Sequence, residues 1–303
     1  MTFINSISNN PLFSVLIANH NDGKYIEYAI DSILKQTYTN WEIIIVDDAS
    51  TDDSKTIYKK YLNDTRFHIY YNDTQRGCGF TKRKCVEMSH GDICGFVDAD
   101  DALTPNALEL MVSKHAENGN ASLIYSNYYY CDKDLKIINI SYSQCSIPHD
   151  SSFLELGHGA ISHFVTFKKS YYSKTEGISE YLKLAEDHDL YFKLEEVGPS
   201  VFIDIPLYYY RCNTNNNISL GDNIIKASYW DILAIYEACK RRSLSINEIV
   251  IPNFDELTQL IITETRSKTI DEMMNTNEFK LGSFIYKPIK KIRKILKKGL
   301  HHL

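Results

Sequence analysis

The stretch DICGFVDADDALTP, residues 92–105, joins an apolar run to three carboxylates that fall within four positions. The apolar run is typical of a buried strand, whereas Asp98, Asp100 and Asp101 repel one another and favour water. Either a cation gathers the three side chains, or they lie on a solvated turn where one aspartate caps the following helix. A cap accounts for one aspartate but not for three, which favours a metal or nucleotide site.

Two earlier stretches repeat this pattern of an apolar run followed by polar residues, FSVLIA at 13–18 and WEIIIVDDAS at 41–50. Residues 25–36 lie between them and have apolar residues at helical spacing. This alternation predicts an α/β fold, a parallel sheet flanked by helices. In such sheets ligands bind beyond the carboxyl ends of the strands. The polar clusters expected at that edge are 19–22, 47–50 and 98–101.

A second acidic region is LAEDHDLYFKL, residues 184–194, in which Glu186, Asp187 and Asp189 head an amphipathic helix. The helix dipole stabilises a carboxylate there as the anion, which is the form that a general base needs before it accepts a proton. The alternative is an ordinary acidic first turn with no chemical role.

Two other segments allow more than one interpretation. Asp47 and Asp48 either contact a ribose or a base, or cap the next helix. The segment RGCGFTKRK, 76–84, has neither of the glycine patterns that hold phosphates in dinucleotide-binding and P-loop proteins. Its basic side chains either neutralise a pyrophosphate or form a solvated helix face. These residues are Arg76, Lys82 and Arg83.

The composition of the 303 residues is that of a globular protein, with 44% hydrophobic and 24% charged residues. The length fits one α/β domain, predicted at 1–220, and a helical C-terminal region, 221–303. Seven cysteines without a C-x-x-C pair favour a reducing cytosol. Neither a signal peptide nor a run of about 18 apolar residues is evident, so we expect a cytoplasmic protein without a spanning helix.

The charge is unevenly distributed along the chain. Residues 279–303 contain eight Lys or Arg and no acidic residue, whereas 1–278 carry 39 acidic against 25 basic residues. The acidic body disfavours nucleic acid as a partner. Within 284–303, isoleucines and leucines fall on one helical side and lysines flank it. This pattern predicts a peripheral helix on an anionic membrane surface, with a soluble packed helix as the alternative.

The order of these motifs resembles glycosyltransferase family 2, whose members have the GT-A fold. The resemblance covers roughly residues 11–215 and rests on FSVLIANHND, VDDASTD, FVDADD, AEDHDLYFKL and YYYR together. It implies a Rossmann-like, mostly parallel sheet and a divalent cation, Mn²⁺ or Mg²⁺. It also implies inverting transfer of a sugar from a nucleotide-diphospho-sugar, with UDP as the expected nucleotide.

The resemblance also implies roles for individual residues. Asp98 and Asp100 match the D-x-D motif and would bind the metal, Asp98 together with the donor. Asp187 matches the catalytic base, and Arg83 matches the arginine of the family's A-R-N element. The residues implied to hold the base and ribose are Ala18, Asn19, His20 and Asp48. The residues expected to add donor or acceptor contacts are Asp101, Glu186, His163 and Arg211.

Three positions depart from the family pattern. Lys84 stands where an asparagine commonly follows the arginine, and His20 stands where a tyrosine is common. Asn213 occupies the place of a histidine that serves many members as a metal ligand, which weakens the expectation of metal dependence.

We expect the chain to build a bacterial surface polysaccharide, with a glycan or lipid-linked acceptor at the inner face of the cell membrane. A metal-dependent nucleotidyltransferase also places carboxylates at the edge of a parallel sheet, and a non-catalytic module that binds a sugar nucleotide would keep the same fold. The donor sugar, the acceptor, the linkage and the oligomeric state are not encoded in any motif of the sequence.

Overall fold

The structure is a computed structural model, and it describes residues 10–156, 159–212, 224–245 and 249. The predicted membrane-binding tail, 284–303, and Asn213 lie outside these residues. No helix in the described ranges is both long enough and apolar enough to span a membrane.

The described residues contain nine strands that form one mixed sheet. The strands are β1 (Phe13–Asn19), β2 (Trp41–Asp47), β3 (Phe67–Tyr71), β4 (Ile93–Phe96), β5 (Ala102–Leu103), β6 (Leu123–Cys131), β7 (Ile137–Ile140), β8 (Val165–Lys168) and β9 (Ser200–Arg211). Their order across the sheet is β3-β2-β1-β4-β8-β6-β9-β5, and β7 pairs with β6.

The helices within the described ranges connect and flank these strands. They are α1 (Ile26–Leu34), α2 (Ser54–Tyr58), α3 (Cys78–Met88), α4 (Ala107–Glu117), α5 (Phe153–Leu156), α6 (Lys169–Tyr172), α7 (Glu186–Glu195) and α8 (Ile224–Arg241). The predicted α/β class is therefore confirmed.

The first four strands form the parallel half of the sheet, because β1 pairs in parallel with both β2 and β4, and β2 with β3. Every residue of β2 is buried, which explains why its sequence is a continuous apolar run rather than an alternating one. The register places Asn19 opposite Asp47, so the carboxyl ends of these strands meet at one edge.

The other half of the sheet is more antiparallel than the sequence indicates. Strand β8 runs antiparallel to both β4 and β6, and β5 runs antiparallel to β9. Strand β6 pairs in parallel with β9, with register irregularities near Asn127. These pairings bring Tyr208 and Arg211 of β9 close to the segment that follows β4, because β5 belongs to that segment.

The hydrophobic core joins the two halves of the sheet. Phe13 and Ile17 of β1 and Ile43 of β2 are fully buried and belong to the same cluster as Phe164 and Tyr208. Burial of apolar surface is the main favourable term in folding, so this shared core fixes the edge where the polar side chains gather.

Candidate active site

The carboxylate of Asp47, at the end of β2, is fully buried and bonded within the protein. Its oxygens accept hydrogen bonds from the backbone N–H of Ser50 (2.8 Å), the hydroxyl of Tyr58 (3.0 Å) and the amide of Asn19 (3.3 Å). Asp47 therefore ties the ends of β1 and β2 to the loop that follows β2 and to the last residue of α2.

Asp48 is also buried, and three donors reach its two oxygens. The backbone N–H groups of Arg76 and Gly77 and the side-chain amide of Asn72 each donate at 2.8 Å. Its backbone carbonyl lies 2.7 Å from Nδ1 of His20. Three of the roughly four acceptor positions of this carboxylate are thus in use, and they hold the loop before α3 against β2.

Asn19 ends β1 beside Ala18, so the predicted nucleotide-binding residues of the first strand lie next to those of the second. The amide nitrogen of Asn19 contacts the hydroxyls of Tyr58 (2.7 Å) and Ser54 (3.0 Å). Its carbonyl oxygen Oδ1 is buried and has no hydrogen-bond partner. Such an oxygen is unfavourable unless a ligand or solvent group donates to it.

The carboxylates after β4 differ sharply in their surroundings. The side chain of Asp98 is 41% exposed. Burial, and then the negative charges of Asp98 and Asp22, raise the pKa of Asp100 to about 7. Because one more negative charge is unfavourable there, a bound cation would stabilise the ionised form.

Asp101 has a structural role in this cluster. Its oxygens accept hydrogen bonds from the hydroxyl of Tyr208 (2.8 Å) and the backbone N–H of Arg211 (2.7 Å). Burial and the charges of Asp100 and Asp98 raise its pKa well above the usual value. Asp101 thus fixes the segment after β4 onto β9.

Arg211 is buried beneath the same segment. Its Nε donates to the carbonyl of Asp100 at 2.5 Å, and its Nη1 donates to the carbonyl of Lys133. The guanidinium packs on the rings of Tyr25 (4.7 Å) and Tyr28 (5.0 Å), while Nη2 is buried without a hydrogen-bond partner.

Lys82 of α3 connects the end of β4 with the start of α7. Its Nζ lies 2.7 Å from Oε1 of Glu186 and 3.7 Å from Oδ1 of Asp98. The thiol of Cys78 also donates to Oε1 of Glu186, at 3.1 Å. Burial opposes the charge of Lys82, but the surrounding acidic groups, Glu186 first among them, together raise the pKa of Lys82 well above the usual value. The two acidic segments of the sequence therefore meet at the ammonium group of Lys82.

Arg83, the next residue, does not reach this centre. Its Nε lies 3.0 Å from Glu87, and its Nη1 donates to the carbonyls of Glu176 (3.2 Å) and Ile178 (3.1 Å). The structure thus places Lys82, rather than the Arg83 favoured by the sequence, among the acidic residues.

The first turn of α7 presents Asp187 beside Lys82. The residue before this helix, Ala185, has a left-handed backbone, with φ of 58°. Burial would raise the pKa of Asp187, but the positive charges of His188 and Lys82 outweigh it, so the pKa lies below the usual value. Asp187 is therefore an anion at neutral pH.

His188 connects this turn with α8. Its Nδ1 lies 2.7 Å from Oδ1 of Asp231. Burial would lower the pKa of His188, but the carboxylates of Asp187 and Asp231 raise it to about 9. His188 is consequently a partly buried cation at neutral pH. The acidic neighbours on both sides explain this state, and no sequence motif indicates Asp231.

His163 lies within an aromatic stack beside the site. Its ring is parallel to those of Tyr208 (4.8 Å) and Tyr210 (5.1 Å), and Tyr128 packs edge-on at 5.2 Å. Burial lowers its pKa. This side chain therefore forms a neutral wall close to Asp98 and Asp187 rather than a charged contact.

The chain is similar to several known proteins. The model of the family described as glycosyl transferase family 2 matches residues 14–175. Chondroitin synthase from Escherichia coli is 30% identical over 211 residues, 69% of this chain and 30% of that protein. The Escherichia coli UDP-Glc:alpha-D-GlcNAc-diphosphoundecaprenol beta-1,3-glucosyltransferase WfgD is 32% identical over 117 residues, 39% of this chain and 46% of that protein. The chain spans only 25–30% of the length of the chondroitin and hyaluronan synthases that it matches.

Among solved structures, Staphylococcus aureus TarS 1–349 in complex with UDP-GlcNAc matches with a TM-score of 0.61 at 20% identity. The match covers 73% of this chain and 66% of that chain, and it confirms the predicted GT-A fold. The family model spans more than half of the sequence and contains the strands that end in Asn19, Asp47 and the acidic cluster after β4. The chain therefore belongs to glycosyl transferase family 2.

Proposed function

We propose that the chain transfers a sugar, with inversion, from a nucleotide-diphospho-sugar to a hydroxyl group of a glycan or lipid-linked acceptor. The observation that carries this proposal is the double contact of Lys82, which brings Asp98 and the start of α7 to one charged centre. Family membership supports sugar transfer, and the UDP-GlcNAc bound to TarS supports a UDP-sugar as the donor.

In this proposal Asp187 is the general base. An acceptor hydroxyl is a poor nucleophile until a base accepts its proton, and Asp187 is ionised because His188 and Lys82 lower its pKa. The hydroxyl then attacks the anomeric carbon from the face opposite the departing diphosphate, which inverts that centre.

Asp98 and Asp100 are the residues that would hold a divalent ion. Burial and the neighbouring carboxylates raise the pKa of Asp100, and Mg²⁺ commonly uses one or two carboxylates and keeps places for phosphates. When bound, the ion would offset negative charge on the departing diphosphate. Lys82 is placed to balance the charges of Asp98 and Glu186 next to the base.

The donor's base and ribose would lie at the ends of β1 and β2. Asn19 offers its unpartnered Oδ1, while His20 and Asp48 are joined at 2.7 Å. The buried Nη2 of Arg211 would serve the diphosphate or the acceptor from beneath Asp100. A carbonyl oxygen can accept a hydrogen bond from the base or the ribose, and a guanidinium can donate hydrogen bonds to the diphosphate.

The acceptor is proposed to be attached to a membrane lipid. The name of WfgD specifies a diphosphoundecaprenol substrate, and the basic tail 284–303 has the composition of an interfacial helix. Deletion of 284–303 should release the protein from anionic liposomes, and unchanged binding would refute this part of the proposal.

The experiment follows nucleotide release by the purified full chain, with UDP-Glc and UDP-GlcNAc as donors, Mn²⁺, and membrane lipid extract as the source of acceptor. Release of UDP is expected, whereas pyrophosphate would identify a nucleotidyltransferase. Asp187→Asn should lower the rate by about 10²–10⁴-fold. The matched control is Asp150→Asn, because that side chain is 99% exposed.

Donor binding is measured in parallel by the shift in melting temperature with each nucleotide sugar. Asp187→Asn should keep this shift while losing turnover. If it turns over donor as fast as the unmodified chain, Asp187 is not the base. Binding without turnover in the unmodified chain would indicate a non-catalytic module.

A further inference from the structure

A second cluster of ionisable side chains lies at the amino ends of the parallel strands, away from the acidic centre. Glu42 is the second residue of β2, His68 is the second residue of β3, and His90 lies shortly before β4. Glu42 is opposite Ser14, near the start of β1. Asp47 lies five positions after Glu42 along β2, or about 17 Å away at 3.3 Å per residue. The cluster is therefore independent of the sugar-transfer site.

The three side chains bring atoms that could bind a metal ion close to one another. Oε2 of Glu42 lies 2.9 Å from Nδ1 of His90 and 3.4 Å from Nε2 of His68. One ligand atom from each residue lies within 4.8 Å of the other two. Tetrahedral zinc with bonds of about 2.0–2.1 Å separates its ligand atoms by about 3.3 Å. The two distances to Oε2 of Glu42 are close to this value, and the two histidine nitrogens lie within 4.8 Å of each other.

A second layer of hydrogen bonds orients the carboxylate. The hydroxyl of Ser14 and the backbone N–H of His90 both donate to Oε1 of Glu42 at 2.6 Å, and the N–H of Gly91 donates to Ser14 at 2.8 Å. Oε1 is thus occupied, and Oε2 is the atom that faces the histidines. Partners of this kind fix ligand orientation in metal sites.

The exposure of the three residues suits an ion that keeps one position open to water. Glu42 is only 4% exposed, whereas the side chains of His68 and His90 are 34% and 62% exposed.

We propose that Glu42, His68 and His90 bind a divalent transition-metal ion, with zinc preferred. Two imidazole nitrogens and one carboxylate oxygen suit zinc, whereas Mg²⁺ and Mn²⁺ favour oxygen ligands. The ion joins β2, β3 and the turn before β4. Its role is structural, because it crosslinks segments that are 26 and 22 positions apart in the sequence.

The test uses the full chain after removal of metals, titrated with Zn²⁺ alone in competition with a chromophoric chelator. His301 and His302 are adjacent in the sequence and could bind zinc themselves, so all variants carry His301→Ala and His302→Ala. We expect one tight site per chain, and a rise in melting temperature when zinc binds.

Two ligand variants and one control decide the outcome. His68→Ala and His90→Ala should each weaken zinc binding at least about tenfold and remove the thermal shift. His149→Ala should change neither, because the side chain of His149 is 100% exposed. Ser14→Ala, which removes the orienting hydroxyl, should weaken binding by about 10–100-fold.

His90 keeps the test decisive even if His68→Ala does not fold, because its side chain is largely exposed. The proposal is wrong if the chain that carries only His301→Ala and His302→Ala binds no zinc below about millimolar concentration. It is also wrong if His90→Ala binds zinc as tightly as His149→Ala. In either case Glu42, His68 and His90 are only a hydrogen-bonded group.

Discussion

Strands β2 and β4 both deliver aspartates to the same edge of the sheet, but they do so for different purposes. The carboxylates of Asp47 and Asp48 accept hydrogen bonds from several protein donors. After β4, Asp98 is partly exposed and the pKa of Asp100 is raised to about 7. The same sequence pattern thus makes a fixed support at one strand and a partly exposed cluster of mutually repelling carboxylates at the next.

The largest effect that distinguishes the two strands should come from the acidic cluster after β4. Changing both Asp98 and Asp100 to asparagine is expected to lower the transfer rate by about 10²–10³-fold, because the proposed metal would lose its carboxylate ligands and the diphosphate would lose the metal. The midpoint of urea unfolding should not fall, since the substitution removes repulsion. A loss of stability equal to that of an Asp47 variant would contradict the distinction.

The next largest effect should come from β2. Asp47→Ala removes the acceptor for Ser50, Tyr58 and Asn19, and buried donors without partners cost about 1–3 kcal/mol each. We expect the free energy of unfolding to fall by about 3 kcal/mol. Asp53→Ala is the control, because Asp53 is exposed and makes no capping hydrogen bond. Equal unfolding curves for the two variants would show that Asp47 is not a support.

A third effect concerns pH. Because the pKa of Asp100 is raised to about 7, the folded chain binds this proton more tightly than the unfolded chain. Its contribution to stability is present below about pH 4 and is lost as the pH rises towards 7. A metal ion at Asp100 competes with the same proton, so its apparent affinity should rise about tenfold per pH unit between 5 and 7.

This pH dependence is measured by titrating Mn²⁺ at each pH and recording the change in unfolding midpoint. Asp100→Asn should remove the slope, whereas Asp48→Asn should keep it. An identical slope in the Asp100 variant would assign the titration to another group.

The smallest effect is expected at Arg83. Its contacts are with Glu87 and two carbonyls away from the acidic centre, so Arg83→Ala should change kcat/KM by less than about threefold. Lys82→Met is the matched comparison, because it leaves Glu186 buried without its 2.7 Å partner. Lys82→Met should reduce activity at least about tenfold. If Arg83→Ala reduces activity by the same factor, Arg83 belongs to the site.

The parallel half of the sheet could be predicted from the sequence, because β1 and β2 are continuous apolar runs that end in polar residues. The antiparallel pairing of β8 and β5 could not. These strands have only four and two residues, and the partner and direction of such short strands are set by their neighbours rather than by their own pattern. The start of α7 was predictable because its acidic first turn follows directly from its sequence.

Within the site, the sequence alone does not decide whether Lys82 or Arg83 lies among the acidic residues. Neighbouring residues on a helix point about 100° apart, and α3 has too few apolar residues to indicate which side faces the sheet. The pairing of His188 with Asp231, and of Glu42 with two histidines, joins positions 26–48 residues apart without any spacing motif. Only the tertiary fold makes such groups neighbours.

The contact between α7 and α8 has a consequence for the order of events during translation. The partner of His188 follows it by 43 positions, so at about 5–20 residues per second it leaves the peptidyl-transferase centre about 2–9 s later. Arg242, which donates to the carbonyl of Phe192, follows later still. A nascent chain that already contains every strand of the described sheet therefore still lacks the groups that anchor the helix bearing Asp187. We expect the sheet to be synthesised in full before this helix can be held in place.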